Sequence, residues 1–279
     1  MENGEMTEIL THRVDGAGPP VLLLNGGLMS ISAWNGIAER LADRHRVVRC
    51  DFRGQLLSPG DAPPELEGHV ADVVEFLDHL GIACCHLIGT SFGGQVGLLL
   101  AATHPERVRS LVAATVVDYP PESMHEADER LREACREAIT SGDGRPFFEL
   151  ITPVIYSPAY LAAHAAEMAE RLRTFRAVPR AWFAGGERIL AAVNAMDLRP
   201  RLGQIRCPVL VVIAEQDGLM PVERSRALAA AIPGATTVVV AGSGHALVVE
   251  ARERFVELVE EFLARDGVAP GGANRYPGA

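Results

Sequence analysis

Ser91 stands in the run Gly89-Thr90-Ser91-Phe92-Gly93-Gly94, six residues with three glycines and no charge. A serine hydroxyl becomes a nucleophile when a base takes its proton and a turn lifts it clear of its neighbours. The run follows the apolar segment Cys84–Ile88 and precedes a small-residue helical pattern over Gln95–Thr103. Strand before and helix after is the setting in which G-x-S-x-G has physical meaning. Glycines at 89 and 93 relieve the crowded turn. The Phe92 amide, at the start of a helix, points at the space above Ser91, where it can donate to an oxyanion.

Nine histidines compete for the role of base. His12 and His45 lie in or beside early polar segments, and His104 fits a helix end. His69 and His79 fit the exposed side of one helix, and His86 falls inside a strand. His125 and His164 belong to a helical region without other motifs. His245 differs, because AGSGHALVVE sets it in a glycine-lined loop between the last strand pattern and the last helix. From there an imidazole can reach across to Ser91. The base needs an acid to fix its tautomer. Asp217, in VVIAEQDGLMP, ends the preceding strand, and Asp118, after Leu111–Val117, is the runner-up. The order Ser91, Asp217, His245 is the chain order of α/β-hydrolase triads. A second oxyanion donor is expected from NGGLMS, after Val21–Leu24: the Gly27 amide, with Leu28 as the alternative.

The elements that position these residues follow from periodicity. Val21–Leu24, Val47–Cys50, Cys84–Ile88, Leu111–Val117, Val209–Ile213 and Thr236–Val240 are apolar runs without polar alternation. That is the habit of parallel strands buried on both faces. Helical patterns lie between them at Ile37–Arg44, His69–Leu80, Gln95–Thr103, Val222–Ala231 and Arg252–Leu263. The alternation predicts an α/β fold with a mostly parallel central sheet flanked by helices. It breaks between Tyr119 and Arg206, where helical stretches carry Phe147, Phe148, Tyr156, Tyr160, Phe175, Trp182 and Phe183. We read a helical cap over 119–206, a core over 1–118 and 207–266, and a disordered Gly/Pro-rich tail over 267–279. A pair of extra core helices is the other reading of the insertion. Phe147, Trp182 and Phe183 of the cap, with Leu28 and Leu219 of the loops, are the expected substrate-binding residues.

Composition narrows the partners. The chain has 279 residues and a formal net charge of −10, which opposes nucleic acid and anionic membrane surfaces. Every one of its 26 basic residues is arginine. Five cysteines show no metal-binding spacing, and those in apolar runs read as small buried hydrophobes. The acidic start MENGEMTEIL lacks the apolar core of a signal peptide, so a cytoplasmic protein is expected.

With these residues in hand, the chain resembles the α/β-hydrolase superfamily, and within it small capped enzymes such as 3-oxoadipate enol-lactonases and related esterases. DGAGPPVLLLNGG resembles the family's first buried strand and oxyanion loop, and GTSFGGQVGLLLAATHPERVRSLV its nucleophile elbow and helix. IRCPVLVVIAEQDGLMP resembles the acid-bearing strand, and GSGHALVVE the histidine loop, with Glu250 in its usual place. The likeness runs over about residues 8–266. It implies the triad Ser91, Asp217, His245 and a serine hydrolase cleaving a carboxylic ester, lactone or thioester of a small, largely apolar molecule. No metal or organic cofactor is implied, and the chain is expected as a monomer or homodimer. Three positions depart from the family pattern: Asn25 replaces the usual histidine, Leu56 a glycine of D-x-R-G-x-G-x-S, and Thr90 a more common polar residue. The same triad also serves acyl transfer, carbon–carbon bond hydrolysis or ring closure. A ligand-binding or signalling protein on the same fold is the alternative outside catalysis.

Overall fold

The structure is a computed structural model that describes residues 9–265. The tail expected to be disordered lies outside the described residues. Among the described residues, seven strands form one sheet: β1 (His12–Asp15), β2 (Pro20–Leu24), β3 (Arg46–Cys50), β4 (Cys85–Thr90), β5 (Val108–Ala114), β6 (Val209–Ala214) and β7 (Thr236–Val240). Their order is β1-β3-β2-β4-β5-β6-β7. β1 runs antiparallel to β3, and every other pair is parallel.

β2, β4, β5 and β6 are buried almost throughout, as unbroken apolar runs require. β7 departs from that expectation. It is the edge strand, and Thr236 and Thr237 are exposed. β1 was not anticipated: HRVD has no apolar run, and its two middle residues face solvent. β5 stops at Ala114, short of the predicted Val117, because Thr115 turns the chain at φ +51°.

Helices α1 (Asn35–Leu41), α2 (Leu66–His79), α3 (Phe92–Thr103), α10 (Val222–Ala231) and α12 (Arg252–Arg265) flank the sheet. One apolar layer joins Leu22, Leu24, Val73, Leu87, Val96 and Leu111. The opposite layer joins Val21, Leu23, Trp34, Ile88, Val212 and Phe255. The alternating residues of β2 and β4 therefore supply both faces. Between β5 and β6 lie α4 (Glu122–Ser141), α5 (Arg145–Ile155), α6 (Pro158–Ala163), α7 (Ala165–Thr174), α8 (Arg180–Ala195) and the short α9 (Arg199–Leu202). This helical layer has an apolar cluster of its own, with Leu131, Cys135, Phe147, Ile151 and Phe183 fully or nearly buried. A one-turn helix, α11 (Leu247–Glu250), follows the His245 loop.

Candidate active site

β4 enters α3 through Ser91, which adopts φ +52° and ψ −123°. A non-glycine residue seldom adopts that conformation, and the turn is held from both sides. The Ser91 amide donates to Ala114 O at 2.8 Å, and Ser91 O accepts from Gln95 N at 3.0 Å. The flanking glycines have a steric reason. A Cβ on Gly89 would lie 2.5 Å from Gly93 O, and one on Gly93 would lie 2.5 Å from Asn25 O. Thr90 is also accounted for: its hydroxyl meets that of Thr115 at 3.1 Å, so the two left-handed turns at the ends of β4 and β5 are tied together.

His245 Nε2 lies 3.0 Å from Ser91 Oγ. Its Nδ1 lies 2.9 Å and 3.1 Å from the Asp217 carboxylate oxygens. That carboxylate is 2% exposed and also accepts from the Leu219 and Met220 amides at 2.9 and 2.7 Å. Three residues from the ends of three strands thus form one chain of hydrogen bonds. The helical layer holds both loops. Ile155 O accepts from Ala246 N at 2.8 Å, and Glu250 binds Gly244 N at 3.2 Å, Ser157 N at 3.0 Å and Ser157 Oγ at 2.6 Å. A Cβ on Gly218, beside Asp217, would lie 2.7 Å from Val154 O.

The competing residues are engaged elsewhere. Asp118 is paired with Arg224 at 2.5 Å through each of its oxygens. His86 is buried, its Nδ1 2.7 Å from Ser110 Oγ, and burial pushes its pKa down to about 4. His69 corrects an expectation: it is fully buried rather than on the exposed side of its helix. It packs edge-on against Phe92 and Phe52, at 4.8 and 5.8 Å between ring centres. Burial likewise lowers its pKa to about 4.

The loop after β2 lies over the elbow, where a Cβ on Gly27 would be 3.8 Å from Phe92 Cβ. Asn25, fully buried, donates to Asp51 Oδ1 at 2.8 Å and Gln55 Oε1 at 3.0 Å, and accepts from Trp34 Nε1 at 2.8 Å. Gln55 Nε2 in turn donates to Gly26 O at 2.8 Å and Gly27 O at 3.1 Å. With both carbonyls held by Gln55, the peptide planes of this loop are fixed. Asp51 accepts from the Ile31 and Leu57 amides as well; burial raises its pKa, and these bonds oppose the rise. Gln55 was not singled out from the sequence, although it sits in the DFRGQLLS run beside Leu56. Leu56 is 45% exposed and does not line the site.

Ser91, His245, Gly27 and Phe92 open onto a cavity of about 550 Å³. Of the five residues expected to bind substrate, Leu28 and Leu219 line it. Phe147, Trp182 and Phe183 do not. They pack on one another and on Phe175, with ring centres 5.0 to 6.3 Å apart; Phe147 and Phe183 are buried inside the helical layer, and Trp182 lies half-buried against them. The cavity's apolar wall is instead largely aliphatic, with Met124, Leu131, Ile151, Ile189 and Val193 prominent. Among the described residues, no group of three or more His, Cys, Asp or Glu is placed to hold a metal ion. None of their helices is long and apolar enough to cross a membrane.

Residues 19–251 match the family described as alpha/beta hydrolase fold. The chain belongs to this family. Relatives of this hydrolase agree. It is 33% identical over 258 residues to the "Putative carbamate hydrolase RutD" of Variovorax paradoxus, covering 91% of this chain and 94% of that one. The enol-lactonase of Burkholderia xenovorans LB400 superposes with a TM-score of 0.79 at 27% identity, covering 91% of this chain and 96% of that one. The hydrolase MGS-M2, from a Medee basin deep-sea metagenome library, shares the fold with a TM-score of 0.85 at 24% identity, covering 96% of each chain.

Proposed function

We propose that this α/β hydrolase is a serine hydrolase that cleaves the carboxylic ester, lactone or thioester bond of a small, largely apolar molecule. The observation that carries the reading is the 3.0 Å separation of Ser91 Oγ and His245 Nε2, with Asp217 on the other imidazole nitrogen. Ser91 Oγ attacks the carbonyl carbon while His245 takes its proton. Asp217 keeps Nδ1 protonated, so Nε2 is free to act as base, and it stabilises the imidazolium that forms. The amides of Gly27 and Phe92 hold the oxyanion. Its collapse breaks the bond to the alcohol or thiol oxygen or sulfur, which takes the proton from His245 and departs, or in a lactone stays tethered to the acyl group as a hydroxyl. An acyl group then remains on Ser91. Water, deprotonated by His245, attacks that ester, and the carboxylic acid departs as Ser91 regains its proton.

The likeness to RutD favours a second reading, in which the attacked carbonyl belongs to a carbamate. The same two steps apply, with a carbamoyl group on Ser91. A panel of p-nitrophenyl esters, lactones and carbamates, run with the parent and with Ser91→Ala, tests both. The expected result is a loss of roughly 10⁴-fold or more in kcat for the variant on whichever class the parent cleaves. Retention of full activity by Ser91→Ala would contradict the reading.

A further inference from the structure

Gly26, the residue before the expected oxyanion donor, joins two peptide units. The first ends in the Gly26 N–H, and the second carries the Gly26 carbonyl and the Gly27 N–H. A trans peptide is planar, so the direction of Gly26 O fixes that of the Gly27 N–H. Glycine hardly restricts the torsions between the two units, and something else must set them. Met29 grips both units. Its amide donates to Gly26 O at 3.1 Å, which ties the second and closes a turn over residues 26–29. Its Sδ accepts from the Gly26 amide at 3.2 Å, which ties the first. Gln55 shares the hold on Gly26 O, but the Gly26 N–H has no partner besides the sulfur among the described residues. Gly26 is buried, so that bond is not readily replaced. The sulfur also stands where a side chain at position 26 would go. A Cβ there would lie 2.9 Å from Met29 Sδ and 3.7 Å from Ser91 Cβ. Both residues line the cavity onto which Ser91 opens. A thioether suits the place: its unbranched chain folds back onto its own turn, and it accepts a hydrogen bond while remaining apolar.

We propose that Met29 is a positioning residue for the oxyanion site: its sulfur, on the Gly26 amide, holds the loop so that the Gly27 N–H faces the oxyanion as it forms. The inference rests on the reading of Ser91 as the nucleophile and Gly27 as a donor. Met29 itself meets no reacting atom in this role. Without the sulfur, the first peptide unit is free to turn about Gly26, and the Gly27 donor is no longer held in one direction. The loss falls on the transition state, where the oxygen carries its charge, more than on the bound substrate.

The test uses a short-chain alkyl trifluoromethyl ketone and the methyl ketone of the same chain, as inhibitors of whichever reaction the parent catalyses. Ser91 Oγ adds to the trifluoromethyl ketone carbon and gives its proton to His245, and the carbonyl electron pair becomes the oxyanion of a hemiketal. The methyl ketone binds unchanged. The ratio of the two inhibition constants within one protein reads oxyanion stabilisation, while packing of the chain cancels. Met29→Leu keeps the volume and removes the acceptor. It is expected to lower the preference for the trifluoromethyl ketone about tenfold, less than the loss from deleting a donor outright. The same variant is expected to lower kcat by a similar factor, with a smaller change in KM. Gly26→Ala keeps Met29 and displaces its sulfur. It is expected to reproduce the fall, and the double variant to fall no further, because both changes act through one bond. A preference unchanged in Met29→Leu would overturn the proposal, as would two losses that multiply in the double variant. The two claims fail in different ways. A parent that prefers the trifluoromethyl ketone, with that preference intact in Met29→Leu, removes the role of Met29 alone. A parent inhibited equally by both ketones removes the oxyanion site and the role of Met29 with it.

Discussion

At the scale of single residues, the site is built from groups that have little freedom. Gln55 is an example that the sequence did not announce. Its amide nitrogen holds Gly26 O and Gly27 O, while its oxygen accepts from Asn25 and from the Phe52 amide at 2.9 Å. Replacing it with alanine removes a bond from Gly26 O, Gly27 O, Asn25 Nδ2 and the Phe52 amide, and leaves Gly26 O with the Met29 amide and Asn25 Nδ2 with Asp51. We expect Gln55→Ala to lower kcat by about tenfold or more, with a smaller change in KM, because a misplaced oxyanion donor is felt in the transition state. Steady-state kinetics on whichever substrate the parent cleaves best checks this, and a pure KM effect would argue against it. Asn25 illustrates a departure from the family pattern that the structure explains. All three of its side-chain bonds are internal to the fold, so it braces the loop without needing to titrate.

At the scale of elements, the α5–α6 junction clamps the two loops that carry His245 and Asp217. Glu250 is the central tie, since it binds Ser157 of the junction and Gly244 of the histidine loop together. We expect Glu250→Ala to cost about 1–3 kcal/mol of stability and to reduce kcat several-fold by loosening His245. Urea unfolding and kinetics on one preparation read both effects; an unchanged midpoint and kcat would refute the clamp. Gly93→Ala is expected to be harsher, because its Cβ meets backbone oxygen rather than a yielding side chain. Loss of soluble folded protein by circular dichroism is the expected outcome. Most of this scale was legible in advance. Buried parallel strands write themselves as apolar runs, and the elbow as glycines around a serine. The insertion between β5 and β6 was legible as helical but not in its packing. Its aromatics looked like a substrate wall, yet Phe147 and Phe183 fill the interior of the helical layer itself. Composition records that a region is aromatic and does not record which face of each helix turns inward. β1 was missed for the opposite reason: its pairing with β3 is visible only in three dimensions.

At the scale of the whole molecule, two buried histidines tie stability to pH. His69 and His86 are held neutral, each with its pKa lowered to about 4 by burial. In the unfolded chain each titrates near 6.5. Between those values the unfolded state binds protons that the folded state refuses, so these two groups take stability away as pH drops from about 6.5 towards 4, while the partly buried Asp128 carboxyl, raised to about 7, acts in the opposite direction. Each histidine contributes a loss on the order of 3 kcal/mol across that window. Chemical denaturation at pH 7 and pH 5 should show the decline, and His69→Phe and His86→Phe should each flatten it. An unaltered pH dependence in both variants would contradict the assignment.

The central claim is that Ser91 is the nucleophile and that His245 activates it. Labelling with a fluorophosphonate probe, followed by peptide mapping, tests it most directly. The account predicts one covalent adduct on Ser91 in the parent, and its loss or severe slowing in His245→Ala. Labelling at another residue, or labelling of Ser91 at an equal rate without His245, would contradict it.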